Sequence, residues 1–324
     1  MISTLRLNLV LPGLDPADLS KRYQAAVEMA ELADRAGFGA IQTEEHHGAD
    51  NGWMPSPLLF AGLVAARTQR AAIVIQALLL PLHDPLRVAE DLIVLDLVSG
   101  GRLALTLGLG YRPSEYLAHG KDWDKRGQIM DQCVEDLVRA WRGEPINRDG
   151  KTVRVTPRPL TPNPPVMIGG SGRPAARRAA RFGLPLSPPA KMPELEAYYE
   201  QLCAENGTVP VIMSPPEHVS LLFVSEDPDR AWKELGGYLL HEAVTYAAWQ
   251  TPDIHSSVHS HATTTEELRE EGIYEILSPA ECRARVAEQG AATLFALHPL
   301  CGGMPLEPAW ECVHLFLDEV VAKV

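Results

Sequence analysis

The stretch AAIVIQALLLPLHDPLRVAEDLIVLDLVSGGRLALTL, residues 71–107, decides the fold because it has the pattern of one strand–helix–strand unit. Two short apolar runs, 71–80 and 103–107, predict buried strands. Between them, Asp84 can cap a helix whose first position is Pro85, and a glycine pair ends that helix. Two buried strands joined by a helix favour a parallel sheet with helices packed on its outside.

The same alternation extends along the chain in both directions. Apolar runs predict eight strands, each followed by a segment of helical period, at 5–11, 38–43, 71–80, 103–107, 165–168, 184–187, 218–225 and 292–297. Two segments break this rhythm and are predicted to be insertions: 145–164, with a hairpin at Asp149-Gly150, and the polar segment 250–275. We therefore predict one domain, residues 1–324, with the α/β fold of a (β/α)8 TIM barrel and function at the C-terminal strand ends.

The composition excludes several classes of protein. Apolar residues make up 46% and charged residues 22% of the 324 residues, as in ordinary globular proteins. The net charge of −13 argues against a nucleic-acid or membrane partner. The first eleven residues are too short for a spanning helix and lack a secretory layout. Five cysteines without a C-x-x-C pair predict reduced, mostly buried thiols in a cytoplasmic protein.

The stretch QTEEHHGADNG, residues 42–52, places the carboxylates of Glu44 and Glu45 directly before the imidazoles of His46 and His47, at the C-terminal end of the second predicted strand. Adjacent strand residues point to opposite faces, so His46 and His47 cannot both reach one metal ion unless the chain bends. A general acid or base fits His46 best, because imidazole titrates near neutral pH. Glu45 is then expected to orient the His46 ring or to balance its charge.

Two alternatives remain open for this stretch. One is a hydrated loop with a hydrogen-bonded histidine. The other is a metal site that recruits His83 and His298 from other strand ends. We expect no metal, because the alternate-residue spacing of zinc ligands on barrel strands is missing here.

A glycine-rich turn, 169–172, follows the predicted strand 165–168 and precedes a helix. Backbone amides at a helix N-terminus form an anion site, and glycine allows a ligand to approach closely. Residues 170–175 also match the pattern G-x-G-x-x-A, but the next strand ends in Leu186-Ser187-Pro188 without the acidic residue of a dinucleotide site. A phosphate cradle is therefore favoured, with a plain glycine turn as the alternative.

A third motif is LGLGYRPSEY, residues 107–116, after the fourth predicted strand. Gly108 and Gly110 leave room for a flat ligand near the backbone. Arg112 and the later Arg126 offer charge for a phosphate, although Arg112 has simple solvent exposure as an equal alternative.

These motifs, in this order, resemble the bacterial luciferase-like family of flavin-dependent monooxygenases. The resemblance covers nearly the whole chain and is weakest over 205–290. It is carried by EEHH at 44–47, LPLHDPLRVAEDLIVLDLVSGGRL at 80–103, GLGYRPSEY at 108–116, PVMIGGSG at 165–172 and HPLCGGMPLEPAWECVHLFLDEV at 298–320.

The resemblance implies a barrel that holds reduced FMN at its C-terminal face, often in a homodimer. Members of the family typically receive the reduced FMN from a separate flavin reductase and let it react with dioxygen. A flavin hydroperoxide then oxygenates a small organic substrate. His46 matches the catalytic histidine of the family, which is expected to help form or stabilise the peroxy adduct.

The resemblance also implies a set of site residues. A non-prolyl cis peptide bond is expected beneath the flavin ring, between Gln76 and Ala77. Arg126 and the 169–171 turn match the positions that hold the flavin phosphate. We assign catalysis to His46 and Glu45, cofactor binding to Gln76, Ala77, Gly108, Gly110, Tyr111, Arg126, Gly169, Gly170 and Ser171, and the substrate pocket to His47, Trp53 and His298.

One position departs from the pattern of the family. Several flavin-using members place an arginine between the two glycines after the fourth strand, and this chain has Leu109 there. Loss of a bidentate phosphate partner weakens FMN binding or moves that task to Arg112 and Arg126. The branch that uses a deazaflavin coenzyme tends to show Asp-His instead of Glu-His-His, which favours FMN. A deazaflavin-dependent oxidoreductase, a flavin-binding protein without turnover and a metal-dependent hydrolase are the alternatives.

Overall fold

The computed structural model describes residues 1–216, 220–250, 256 and 258–324. Its strands are β1 Ile2–Arg6, β2 Ala40–Thr43, β3 Ala72–Leu78, β4 Leu103–Leu107, β5 Ile146–Arg148, β6 Lys151–Val153, β7 Val166–Gly169, β8 Leu186–Ser187, β9 Leu221–Val224, β10 Tyr274–Leu277 and β11 Leu294–Leu297. Its α-helices are α1 Pro16–Arg35, α2 Pro57–Arg67, α3 Pro85–Ser99, α4 Pro113–Ala118, α5 Arg126–Arg142, α6 Arg173–Phe182, α7 Pro193–Asn206, α8 Pro228–Trp249, α9 Thr265–Glu271, α10 Pro279–Gln289 and α11 Leu306–Leu315.

Nine strands form one parallel sheet in the order β10-β9-β11-β1-β2-β3-β4-β7-β8. From β1 to β8 the spatial order follows the chain, and helices join consecutive strands, as the α/β barrel prediction requires. Within the described residues β8 does not pair with β10, and Leu186 instead makes a parallel bridge to Ile212. All nine strands of this sheet run in the same direction, so their C-terminal ends meet at one edge. That edge gathers the 42–52, 107–116 and 169–172 motifs.

The unit β3–α3–β4 forms where the sequence predicts it. The Asp84 carboxylate accepts hydrogen bonds from the Leu86 and Arg87 amides, at 2.9 and 3.0 Å, and caps α3. Gly100 adopts the left-handed φ of 67° that ends this helix. Strand β3 is shorter than predicted, and its register with β4 shifts between Gln76 and Leu78.

The two predicted insertions have different outcomes. Strands β5 and β6 form the expected antiparallel hairpin, and Asp149 and Gly150 at its turn both have positive φ, 51° and 75°. The 250–275 insertion contains ordered elements that the sequence did not predict, α9 and the start of β10. Thr264 and Glu267 form a capping box that begins α9, and β10 pairs with β9. Residues 251–255 and 257, and positions 217–219 at the start of the predicted strand 218–225, lie outside the described residues.

The core lies between the sheet and its covering helices, where most buried apolar side chains form one continuous cluster. All five cysteines are buried and free of disulfides, as predicted. Within the described ranges, every helix is too short or too polar to cross a membrane.

Candidate active site

His46 lies just beyond β2, at the C-terminal edge of the sheet, with only 6% of its surface exposed. Its amide donates to the Met54 carbonyl at 2.9 Å, which fixes the backbone. Its Nδ1 lies 3.1 Å from Oε1 of Glu115, and its Nε2 lies 3.1 Å from the hydroxyl oxygen of Tyr111. Both partners follow β4, so the ends of β2 and β4 build the site together. Glu115 is on α4, a short helix that sequence analysis missed.

Glu115 is a buried carboxylate whose Oε1 gathers several donors. The His47 amide donates to it at 2.9 Å, and Nη1 of Arg112 donates at 3.1 Å. Burial tends to raise the pKa of Glu115, but hydrogen bonds from His46 and the His47 amide and the positive charge of Arg112 lower it overall. Glu115 is therefore ionised at neutral pH and acts only as an acceptor.

Tyr111 is neutral for the opposite reason. Burial raises the pKa of Tyr111 well above its ordinary value, and the nearby Tyr246, Glu44 and Glu115 raise it further. Because ionised Glu115 can only accept, Nδ1 of His46 carries the proton that it donates to Glu115, and the neutral Tyr111 hydroxyl donates a hydrogen bond to Nε2. We therefore assign His46 the tautomer with the proton on Nδ1, donated to Glu115, and the lone pair of Nε2 facing the Tyr111 hydroxyl.

Aromatic side chains enclose the His46 ring. The ring centroids of Trp53 and Trp249 lie 5.5 and 4.9 Å from that of His46, and Trp53 stacks on Tyr246 at 6.2 Å. The guanidinium of Arg112 lies 4.1 Å from the centre of the Trp249 ring. Trp249 and Tyr246 come from the C-terminal turns of α8, and sequence analysis missed both because no local motif marks them.

Among the described residues Glu45 forms no hydrogen bond with His46, so the prediction that it orients the His46 ring is wrong. Its Oε1 lies 2.9 Å from Nε2 of His47 and 2.6 Å from Nε2 of His83, and its Oε2 accepts from the Leu79 amide. Neighbouring residues of an extended segment point to opposite sides, which sends Glu45 away from His46. Burial tends to raise the pKa of Glu45, but its hydrogen bonds with the two histidines lower it to about 2.

His298 lies in a buried polar network rather than on a pocket wall. Its Nδ1 lies 3.0 Å from the Arg6 carbonyl oxygen and its Nε2 lies 2.9 Å from Oε1 of Glu242. Only 1% of the residue is exposed and both ring nitrogens have protein partners, so the predicted contact with a substrate does not fit. The Asn8 amide also donates to Glu242, at 2.7 Å. This network is structural, and neither Asn8 nor Glu242 was expected from the sequence.

Glu44 connects the network to the site. Its carboxylate accepts from Nη2 of Arg6 at 2.9 Å and from the Trp53 indole at 3.0 Å. Trp53, predicted to line the substrate pocket, is thereby held in place beside His46. Arg112 is largely buried, and its Nη1 donates to Glu115 and to the His47 carbonyl, so this nitrogen is already engaged within the site.

The ends of β3 and β4 meet closely at the positions expected for a flavin ring. The peptide bond between Gln76 and Ala77 is cis. A Cβ atom on Gly108 would lie 2.9 Å from Cβ of Ala77, so any larger residue would push the two strand ends apart. Gly110 has a φ of 78°, which favours glycine, and turns the chain toward Tyr111.

The N-terminal turns of α5 and α6 offer donors suited to a phosphate. Gly172 caps α6 without a side-chain hydrogen bond, so no side chain of the cap satisfies the first amides of that helix. Nε of Arg178 donates to Asp131 at 2.6 Å. Asp131 lies five residues after the start of α5, and Arg178 lies five residues after the start of α6. Their contact therefore holds the N-terminal turns of the two helices side by side.

Arg126, the first residue of α5, donates to the Trp123 carbonyl at 3.0 Å and lies 4.1 Å from the centre of the Trp123 ring. It forms no ion pair with any of the residues described. A guanidinium, a serine hydroxyl at Ser171 and uncapped helix amides are the donor set that a phosphate needs. The residues present at this edge therefore fit FMN.

The chain matches a known protein family. Residues 7–295 match the family model of the luciferase-like monooxygenases. An uncharacterised protein of Sinorhizobium fredii is 34% identical over 171 residues, which are 51% of this chain and 50% of that protein. The chain thus spans about half the length of this relative. The 4-hydroxyprotoasukamycin monooxygenase of Streptomyces nodosus subsp. asukaensis is 27% identical over 260 residues, 74% of this chain and 70% of the relative.

Solved structures share the fold over almost the full chain. A monooxygenase from Streptomyces bottropensis matches with a TM-score of 0.73 and 25% identity, covering 99% of both chains. The oxygenating constituent of 3,6-diketocamphane monooxygenase from Pseudomonas putida, solved with FMN, matches with a TM-score of 0.69 and 16% identity over 100% of this chain and 99% of that one. A secondary alcohol dehydrogenase dependent on the deazaflavin F420 matches with a TM-score of 0.63 and 16% identity, covering 99% of each. By its family model and its fold, this chain belongs to the luciferase-like monooxygenase family.

Proposed function

We propose that this protein is a flavin-dependent monooxygenase that uses reduced FMN and dioxygen to oxygenate a small organic substrate. The observation that carries the proposal is His46, held between Glu115 and Tyr111 inside an aromatic enclosure at the C-terminal edge. Family membership and the monooxygenase named among the relatives support the same reaction class.

FMN would be held by two groups of residues. The strand ends at Gln76, Ala77, Gly108 and Gly110 would contact its ring system. Its phosphate would be bound by Arg126 and by the turn Gly169, Gly170 and Ser171 before α6. When bound, the reduced flavin supplies the electrons that activate dioxygen.

The protein's own contribution is to hold and move a proton. Nε2 of His46 accepts a proton from a reacting group or returns it, and Tyr111 donates a hydrogen bond to the same nitrogen. Glu115 accepts the hydrogen bond from Nδ1–H of His46 throughout and stabilises the imidazolium that forms. The ring therefore keeps its orientation through the cycle. Trp53 and Trp249 exclude water from this nitrogen, which strengthens the electrostatic interactions within the site.

We also propose that a separate flavin reductase supplies the reduced FMN. The relative from Pseudomonas putida is described as an oxygenating constituent, which implies a partner component in that system. Five buried, unpaired thiols suit a reducing compartment, so we place the enzyme in the cytoplasm.

A homodimer is proposed from an apolar face on α2 and α3. These helices pack closely, since a Cβ atom on Gly62 of α2 would lie 3.6 Å from Leu95 of α3. Five large apolar side chains of these two helices are exposed beside the charged Arg87 and Glu90, led by Leu59 at 72%; the others are Leu63, Val94, Leu97 and Val98. A solvated helix face is normally polar. A second copy of this chain would cover the face by the symmetric pairing common in dimers.

The alternative cofactor is a deazaflavin coenzyme. Leu109 replaces the expected arginine, and the F420-dependent dehydrogenase shares the fold. Anaerobic titration of the purified protein with reduced FMN and with reduced deazaflavin separates the two. We expect saturable FMN binding, followed by oxidation kinetics on addition of air that differ from those of free reduced FMN. Deazaflavin binding without FMN affinity would replace the proposal with an oxidoreductase, and FMN binding with unaltered oxidation kinetics would indicate a binding protein without turnover.

A further inference from the structure

We propose that Glu45, His47 and His83 form a binding site for a divalent first-row transition metal ion of the Zn²⁺ type. Nε2 of both histidines converges on one oxygen, Oε1 of Glu45, at 2.9 and 2.6 Å. One ligand atom from each of the three residues lies within 4.8 Å of the others. The nitrogen and oxygen ligands of tetrahedral Zn²⁺ lie about 2.0–2.2 Å from the ion and therefore about 3.3 Å from one another. Small outward shifts of the two imidazole rings would lengthen the present distances to this value and admit the ion.

The ligand types suit this class of ion. Neutral imidazole and carboxylate bind Zn²⁺ and its neighbours, whereas Mg²⁺ and Ca²⁺ prefer oxygen ligands. Glu45 is buried, and the Leu79 amide holds its Oε2 in place, so the carboxylate is preorganised. The ion would replace the protons that now join each Nε2 to Glu45, with each neutral ring carrying its proton on Nδ1.

A fourth ligand stands at the rim of the cluster. His119, at the C-terminal end of α4, is exposed, and its ring centroid lies 4.3 Å from that of His47 and 6.3 Å from that of His83. It can close the coordination sphere from the solvent side and provides the route by which an ion arrives. The group of Glu242, His298 and Cys301 also brings three ligand types together, but all three are buried and offer no such route.

The site is distinct from the proton-transfer site beside it. The His46 ring points to Glu115 and Tyr111, and sequence analysis disfavoured a metal because His46 and His47 are adjacent. The structure instead pairs His47 with His83, which follows β3. An ion here would fasten together the segments that follow β2, β3 and β4, and it would stabilise the folded protein by mass action.

The test uses the untagged full-length protein, treated with a chelator and then titrated with ZnCl₂ in a calorimeter. We expect one Zn²⁺ per chain, and affinity at least about tenfold weaker in His83→Gln and in His47→Gln, since even outer partners of a metal site change affinity that much. His314→Gln removes an exposed histidine on α11 and should bind as the wild type does. Co²⁺ should give visible absorption bands in the wild type that His83→Gln loses.

A second pair of histidines needs its own control. His259 and His261 lie 4.6 Å apart by ring centroids, so they are replaced together by glutamine. Three results would overturn the proposal. Zn²⁺ binding could disappear in this double variant, it could be equally tight in the wild type and in His83→Gln, or the wild type could fail to bind stoichiometric Zn²⁺. Thermal melting guards against misfolding. Zn²⁺ should raise the melting temperature of the wild type and leave that of His83→Gln unchanged. A cooperative melting transition of metal-free His83→Gln shows that the variant is folded, even if it melts at a lower temperature than the wild type.

Discussion

Oε1 of Glu115 lies 3.1 Å from Nδ1 of His46, although 69 residues separate the two along the chain. The contact joins the end of β2 to the helix that follows β4, and it sets the tautomer of the imidazole. The residue expected to do this from its position in the sequence, Glu45, faces the other way. The chemistry of His46 therefore depends on a partner that only the folded chain supplies.

Glu115→Gln should impair proton transfer at His46 while sparing FMN binding. The amide can present its NH₂ group to Nδ1 and favour the wrong tautomer, and it no longer stabilises an imidazolium. We expect the oxygen-dependent oxidation of bound reduced FMN to change by at least about tenfold in rate, as is usual when an acid–base group is disturbed. Stopped-flow absorbance of the flavin measures this rate.

The matched control for Glu115 is Glu90→Gln on the outer surface of α3, which should behave as the wild type. Equal kinetics in Glu115→Gln and the wild type would mean that the carboxylate does not act through His46.

His46→Ala should bind FMN with an affinity within about twofold of the wild type. The rate of its oxygen-dependent step should fall by about 100-fold, since general acid–base groups contribute on that scale. Tyr111→Phe keeps the ring and removes only the hydroxyl donor, so its effect should be smaller. Anaerobic titration and stopped-flow mixing with oxygenated buffer measure both quantities. An unchanged rate in His46→Ala would remove this residue from the mechanism.

Arg126→Ala should weaken FMN binding by about tenfold or more, because a charged hydrogen bond to phosphate contributes about 1.5–3 kcal/mol. Riboflavin lacks the phosphate, so its affinity should hardly change. Equilibrium titration with both ligands gives the comparison, and Arg87→Ala on α3 is the surface control. Equal losses for FMN and riboflavin would place Arg126 at the ring or in the fold rather than at the phosphate.

Leu59→Glu combined with Val98→Glu should convert a dimer to a monomer, because it buries two charges in an apolar interface. Light scattering after size-exclusion chromatography measures the mass. Val209→Glu, at an exposed valine outside α2 and α3, should leave the dimer intact. A wild-type protein that is monomeric at micromolar concentration would rule out the proposed interface.

Glu45 should make the stability of the protein depend on acid pH. Its pKa is lowered from 4.5 to about 2, so ionised Glu45 stabilises the folded state above about pH 4.5, and this contribution is lost as the pH falls toward 2. The shift corresponds to about 3 kcal/mol at neutral pH. The free energy of unfolding, measured with urea, should therefore be well below that of the wild type for Glu45→Gln at pH 7. The difference between the two proteins should be smaller at pH 3. A difference that stays constant over this range would contradict the assigned ionisation.

Local signals in the chain predict much of the fold. Strand β4 occupies the predicted residues, and α3 begins and ends where Asp84, Pro85 and Gly100 indicate, because capping and backbone φ are decided by nearest neighbours. The strand β10 escapes prediction because it follows a polar segment and its pairing with β9 is a long-range contact.

The candidate site likewise contains residues that local motifs predict and residues that only long-range packing brings together. The positions of His46, Gly108 and the turn before α6 follow from motifs at strand ends. The partners of His46 do not follow from such motifs, because Glu115 and Trp249 reach it only through the packing of α4 and α8. Glu45 illustrates the difference: its location at the end of β2 is predictable, whereas its partner His83 follows β3 and meets it only in the folded chain.

The indoles of Trp53 and Trp249 both contact the His46 imidazole, and the Arg112 guanidinium covers one of them. A molecule cannot reach Nε2 without changing the surroundings of a tryptophan. The intrinsic fluorescence of the protein is therefore a built-in optical reporter of pocket occupancy, and it allows a library of candidate compounds to be screened before any product of the reaction is known.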